Sequence, residues 1–213
     1  ETLQGEGGIN SSRPEWLRGL YELCKQHDML LIVDDVQMGC GRTGPFFSFE
    51  QAGIMPDIVC LSKSIGGYGM PLALTLIKSE YDVWDPGEHN GTFRGNNPAF
   101  VTAAEALRLY WSDGELERST LAKGERVGEV LEGLANQHPG AVAKGRGLAR
   151  GLGFEDPNLA GKIAKAAFDR KLLLETSGPD SEVIKVMPPL TVTNDELEQG
   201  LQIITESVQA GLA

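Results

Sequence analysis

Two side chains stand where chemistry is possible. Lys63 follows the apolar run Ile58-Val59-Cys60-Leu61 and precedes Gly66, Gly67 and Gly69. A lysine there can serve as a Schiff-base nucleophile, because desolvation lowers an amine's pKa and frees its lone pair. Asp34 ends another apolar run, Leu30-Leu31-Ile32-Val33. A carboxylate at the end of a buried strand is costly without a partner, and a metal, a cation or a protonated ring nitrogen would supply one. A third segment, Asn90 to Asn97 before Pro98, offers a hydroxyl and backbone amides at a helix start, which suits a phosphate. Each also has a plain structural explanation: an exposed strand-end lysine, a capping or salt-bridged aspartate, and a turn with its N-cap. An apolar strand ending in paired acids also fits the magnesium-binding strand of a P-loop ATPase, but no G-x-x-x-x-G-K-[ST] loop occurs in the 213 residues.

The elements that must position these groups alternate between helix and strand. Ser12, Pro14 and Glu15 read as a capping box opening a helix that buries Trp16, Leu17, Leu20, Leu23 and Cys24, after a glycine-rich loop over 1–12. Continuous apolar runs at 30–33, 58–61 and 72–77 suit buried strands, the first covered on both faces as in a parallel sheet. Ligands of such α/β sheets bind beyond the carboxyl ends of strands, where Asp34 and Lys63 both fall. Helices are expected from Asn97 through Tyr110 and from there to Gln137. A glycine-bearing strand pair over 142–154, a helix over 159–170, strands at 172–174 and 183–187 and a closing helix over 195–208 make a smaller α+β unit, with the boundary near residue 110.

Composition excludes several classes. A hydrophobic fraction of 41% is too high for a disordered chain, and no run approaches a membrane span. Lys+Arg is 19 against Asp+Glu 30, a net charge of −11, which disfavours nucleic acid. Cys24, Cys40 and Cys60 form neither a disulfide framework nor a Cys-x-x-Cys site, and fit a reducing cytosol. His27, His89 and His138 match no metal-site spacing, so no metal is expected.

Taken in order, the signals narrow sharply. Asp34-Asp35-Val36-Gln37 is followed by Gly39-Cys40-Gly41-Arg42-Thr43-Gly44, then Pro56-Asp57, Ser62-Lys63 and Gly91-Thr92-Phe93, with 63 − 34 = 29 and 92 − 63 = 29 residues between the key positions. This ordered set resembles the class III (ω-amino acid) aminotransferases, from Glu1 to the final helix. Within that family, Glu1 to Gly8, Lys63 to Pro71 and His89 to Asn97 look like the diaminobutyrate subgroup of ectoine synthesis. Arg94 and Asn97 stand where the wider class usually has glycine and proline.

The resemblance implies a pyridoxal 5′-phosphate (PLP) enzyme of transferase fold type I. Residues 1–110 would be the C-terminal part of the cofactor-binding large domain, with a mostly parallel sheet, and 111–213 a small α+β C-terminal domain. Lys63 would bind the cofactor aldehyde and then move the substrate proton. Asp34 would pair with the pyridinium nitrogen, Val36 would pack on the ring, and Gln37 would lie near the ring hydroxyl. Thr92 would bind the cofactor phosphate of a neighbouring subunit, which implies a homodimer or higher oligomer with shared sites. The implied reaction moves the 4-amino group between L-2,4-diaminobutyrate and 2-oxoglutarate in the cytoplasm; the alternatives are an ornithine or 4-aminobutyrate donor, or a non-catalytic fragment. In related enzymes an acid at the Glu6 position pairs with an arginine that opens and closes to admit both substrates; here Lys185 replaces it, and lysine lacks the bidentate fork. Lys144 likewise stands at a usual arginine, and Arg146 reads as surface charge. The chain starts at Glu1 rather than methionine and reads as the C-terminal half of a longer protein, expected to expose apolar surface where missing strands pack.

Overall fold

The computed structural model describes residues 1–67, 69–92 and 94–212. Tyr68 and Phe93, each inside a motif quoted above, lie outside them. In chain order the elements are β1 (Leu3–Gln4), β2 (Asn10–Ser11), α1 (Pro14–Gln26), β3 (Ile32–Asp34), β4 (Ile58–Leu61), β5 (Leu74–Ile77), α2 (Asn97–Tyr110), α3 (Glu115–Gln137), β6 (Ala141–Arg146), β7 (Ala149–Phe154), α4 (Pro157–Asp169), β8 (Glu175–Ser177), β9 (Val183–Val186) and α5 (Asn194–Leu212). They gather into two compact units. The first holds Glu1–Thr2, Ser12–Cys40 and Pro45–Glu115; the second holds Leu3–Ser11, Gly41–Gly44 and the residues from Leu116 onward.

The first unit is built on a sheet of order β3-β4-β5, with β3 parallel and β5 antiparallel to β4. Helix α1 packs against it through Leu17 and Cys24, seven residues and two turns apart, with Leu20 and Tyr21 between them. Trp16 and Leu23 do not share this face: each sits one residue, about 100°, off the stripe and is 55% and 46% exposed. The capping box does not form either. Arg13 is the N-cap residue, without a side-chain cap, because the Ser12 hydroxyl instead donates to the Thr2 carbonyl at 2.6 Å. Strand β3 is covered on one face only. Leu31 and Val33 enter the core, whereas Leu30 and Ile32 point to the opposite face and are 46% and 57% exposed, since no described element packs over them.

Asp57 ties this unit together. Its buried carboxylate accepts from Lys25 at 3.0 Å, from Lys78 at 2.7 Å and from the Leu31 amide at 2.9 Å. One side chain thus joins the end of α1, the entry to β3, the entry to β4 and the exit of β5. This is the physical content of the Pro56-Asp57 motif.

The second unit has an antiparallel sheet of order β6-β7-β9-β8, covered by α3, α4 and α5 around Leu131, Leu148, Leu152, Ile163, Ile184 and Val208. Two expectations are corrected here. Residues 1–12 are not simply loop: β1 and β2 pair, with Leu3 opposite Ser11. Leu172-Leu173-Leu174 is not a strand; the pairing starts at Glu175. The Leu172 amide still bonds the Ala167 carbonyl at the end of α4, and Leu172 and Leu174 line an apolar groove of about 380 Å³ with Met187, Val192 and Leu201. Among the described residues no helix is long and apolar enough to cross a membrane.

Burial alone would push the Asp57 pKa up, but Lys78, the Leu31 amide and Lys25 together bring it down to about 2. A carboxylate depressed in the folded state stabilises above its unfolded pKa of ~3.9, and that stabilisation is lost as pH falls toward 2. Asp57→Asn is therefore expected to cost roughly 2–3 kcal/mol at neutral pH and to flatten the acid limb of the stability curve, read by denaturant titration between pH 2 and 7.

Candidate active site

In the first unit, parallel pairing sets Asp34 opposite Cys60, and the chain leaves β4 through Ser62 directly into a short 3₁₀ turn, Lys63–Gly66. Asp34 and Lys63 therefore emerge from the carboxyl ends of adjacent strands. Lys63 has φ +53°, a left-handed conformation that is uncommon for a residue with a side chain. Its turn is held from below. The Thr102 hydroxyl of α2 donates to the Gly66 carbonyl at 2.7 Å, and a Cβ on Gly67 would lie 2.7 Å from the Thr102 carbonyl oxygen, so α2 requires glycine there. Lys63 is exposed rather than desolvated, and its ammonium has no hydrogen bond or ion pair among the described residues.

Successive strand residues face opposite ways, which separates the two acids of Asp34-Asp35. Asp35 is buried and accepts from the Ser48 amide at 2.9 Å and from the Ser48 hydroxyl, itself bonded by Thr2. It is structural. Asp34 is exposed, and one of its oxygens accepts from the Val36 amide at 3.0 Å; the other has no partner among the described residues. Val36 and Gln37 follow, both half-buried. Thr92 lies exposed in a turn before α2. This donor set fits PLP: a carboxylate oxygen for a ring N–H, an unengaged amine for the aldehyde, and a cradle where only glycine is accommodated. Cys40, by contrast, is no nucleophile, since burial and then the Asp35 charge push its thiol up to about 12.

In the second unit, Glu6 rides the loop between β1 and β2. The Gly178 amide holds the Glu6 carbonyl at 3.0 Å, and Lys144 holds the same loop through the Gly8 carbonyl at 3.3 Å and the Asn10 side chain at 2.9 Å. Ile9, buried at φ +57°, locks the loop against Gly145 and Gly151. Arg146 is not ordinary surface charge: it is half-buried and reaches the Ser11 hydroxyl at 3.4 Å. Lys185, in β9, has a side chain only 6% exposed and donates to Glu6 at 2.8 Å.

Two members of this second site escaped sequence reasoning. Glu175 pairs with Lys185 at 3.0 Å and stands directly across from it in the β8–β9 ladder. A signal existed, since a hairpin turning through Gly178-Pro179-Asp180 sets 175 opposite 185, but the leucine run drew the strand three residues too early. Arg42 is the other. Its guanidinium bonds the Leu148 and Pro188 carbonyls and so anchors the segment after β9; burial lowers its pKa to about 10, which leaves it charged at neutral pH.

Comparison with known proteins agrees with this geometry. Residues 1–208 match the model of the class-III aminotransferases, and the chain belongs to that family. Its fold is that of the fold type I transferases. Among curated relatives, the diaminobutyrate–2-oxoglutarate transaminase of Nocardia farcinica is 65% identical over 98% of this chain and 48% of its own length. That of Streptomyces avermitilis is 60% identical over 98% and 50%. The chain spans about half the length of the curated relatives it matches. Among solved structures, an ornithine aminotransferase of Toxoplasma gondii, with PLP at partial occupancy in its active site, has a TM-score of 0.90 at 29% identity over 99% of this chain and 50% of its own. The lysine aminotransferase of M. tuberculosis, in its internal aldimine form, has a TM-score of 0.88 at 27% identity over 99% and 48%.

Burial lowers the Lys185 pKa, but the hydrogen bonds its ammonium donates to Glu6 and Glu175 outweigh that and hold the pKa above its usual value. With the glutamates ionised, the stabilisation from the raised Lys185 pKa is fully present below pH ~10.5 and is lost as pH rises above it. Both glutamates are about 70% exposed, so Lys185→Met should shift stability by less than ~1 kcal/mol. Arg42→Met, which abandons two carbonyls, should cost roughly 2 kcal/mol. Thermal unfolding of the two variants side by side separates a lysine kept for ligands from an arginine kept for folding.

Proposed function

We propose that this chain is part of a PLP-dependent transaminase that exchanges the 4-amino group between L-2,4-diaminobutyrate and 2-oxoglutarate, giving aspartate 4-semialdehyde and L-glutamate. The observation that carries the reading is the pairing of Asp34 and Lys63 at the carboxyl ends of adjacent parallel strands, each with an unengaged polar group. Identity of 54–65% to several diaminobutyrate–2-oxoglutarate transaminases supports the substrate pair. PLP supplies a pyridinium ring that takes up the electron pair left when the substrate carbon loses its proton.

In this reading Asp34 keeps the ring nitrogen protonated through a charge-assisted hydrogen bond. Val36 packs against the ring face, and Gln37 serves the ring hydroxyl. Lys63 binds the cofactor, then as a free amine takes the proton from the substrate carbon and returns it on the other side of the reaction. Its left-handed backbone fixes the direction from which that amine approaches. Thr92 serves the phosphate of a second subunit's cofactor, so the working form is a homodimer or larger. Lys185 and Glu6 receive the charged end of the substrates. A cytoplasmic place in ectoine synthesis follows from the same substrate assignment.

The full-length protein with PLP should show a visible absorption band that bleaches with L-2,4-diaminobutyrate and returns with 2-oxoglutarate. Lys63→Ala should abolish the band and lower turnover by a factor on the order of 10⁴ or more. A band that bleaches only with ornithine or 4-aminobutyrate would replace the substrate, and a band independent of Lys63 would end the catalytic reading.

A further inference from the structure

The Thr102 hydroxyl has one proton and two carbonyls within reach, Gly66 at 2.7 Å and Ala99 at 3.1 Å. A threonine inside a helix ordinarily returns that proton to the carbonyl three or four residues back, which here is Ala99. The nearer acceptor instead lies outside α2, on the turn that carries Lys63. The backbone of the same residue meets the next position of that turn: a Cβ on Gly67, at φ +72°, would lie 2.7 Å from the Thr102 carbonyl oxygen. The turn is also fixed at its start and in its middle. The Ser62 hydroxyl donates to the Leu72 carbonyl at 3.0 Å, and Ile65 is buried in the core of the first unit. Lys63 stands exposed between these anchors with its left-handed backbone.

We infer that Thr102 is a positioning residue for the Lys63 amine. This rests on the function proposed above, in which Lys63 binds the cofactor and moves the proton. A left-handed residue with a side chain persists only where its surroundings over-determine it. Ser62 fixes where the turn begins, and Thr102 fixes where it ends by engaging the carbonyl of Gly66, a buried residue. Without the hydroxyl that carbonyl loses this donor, and the turn gains the freedom to let Lys63 leave φ +53°. The side chain would then leave the sheet in another direction and bring its amine to the wrong place. Thr102 acts through Gly66 and Gly67 rather than at the reacting atoms. Its loss therefore falls on the steps that use the amine, and so on kcat more than on KM.

The test uses the full-length protein as wild type, Thr102→Val, which keeps the volume and removes the hydroxyl, and Thr102→Ser, which keeps the hydroxyl. Thermal unfolding checks folding, and Thr102→Ala replaces a valine variant that does not fold. Loaded with PLP, Thr102→Val should lower kcat for L-2,4-diaminobutyrate on the order of 10- to 100-fold, the loss that a misplacement of about 1 Å brings, with KM within about twofold. The pH at which its visible band changes, read without substrate, should move from the wild-type value, and Thr102→Ser should restore both. In the cofactor-free protein, amide hydrogen exchange over 63–67 should be faster in Thr102→Val than in wild type. Wild-type kcat and band in Thr102→Val, a lowered unfolding temperature with band and exchange unchanged, or a serine variant no better than valine would each overturn the role of Thr102. A wild-type band indifferent to L-2,4-diaminobutyrate would instead overturn the functional proposal, since the band and the exchange are read without that substrate.

Discussion

A single buried carboxylate organises the half of the molecule that carries the nucleophile. Asp57 draws Lys25, Lys78 and the Leu31 amide onto the amino end of β4. Everything at the other end of that strand inherits its position. With the entry to β3 tied to the entry to β4, the parallel register follows, and Asp34 and Lys63 leave the sheet side by side. Burying a charge is unfavourable unless it is fully paired, and here three donors meet it. The acid that stabilises and the acid that faces ligands thus sit at opposite ends of the sheet, and neither compromises the other.

The second unit solves a different problem. Its charged residues are paired at the solvent boundary, with one partner of each pair exposed. Lys185 keeps its stem in the sheet and its ammonium among exposed glutamates, which contribute little to stability. Arg42, bonded only to carbonyls, does the opposite and holds the backbone after β9. Where the resemblance leads one to expect an arginine, Lys185 is held by two carboxylates, Glu6 from the β1–β2 loop and Glu175 from across the ladder.

Much of this was legible in the sequence, and for identifiable reasons. Lys63, Asp34 and the order of the motifs stand out by local pattern, as apolar runs of strand length each ending in a polar group and then glycines, and the roles expected of them come from the family resemblance. The helix over 97–110, the helix that ends at Gln137 and the strand pair expected over 142–154 follow from periodicity and turn residues. The failures share a cause. Ser12 was a sound cap by type, but its hydroxyl found the Thr2 carbonyl, ten residues away. Leu172 to Leu174 is a sound strand by composition, but its side chains line a groove and the ladder forms three residues later.

By itself, then, the sequence determined the family and singled out Lys63 and Asp34 as the positions of interest, because those depend on residue type in a fixed order. Tertiary structure decided that Asp35 is buried on Ser48 while Asp34 is exposed, what restrains Lys63 in its left-handed turn, and that the Lys185 ammonium reaches Glu175. Each of these depends on what stands opposite a side chain across a sheet or beneath a loop. Strand register and long-range hydrogen bonds set that, and neither is written in any single stretch of the chain.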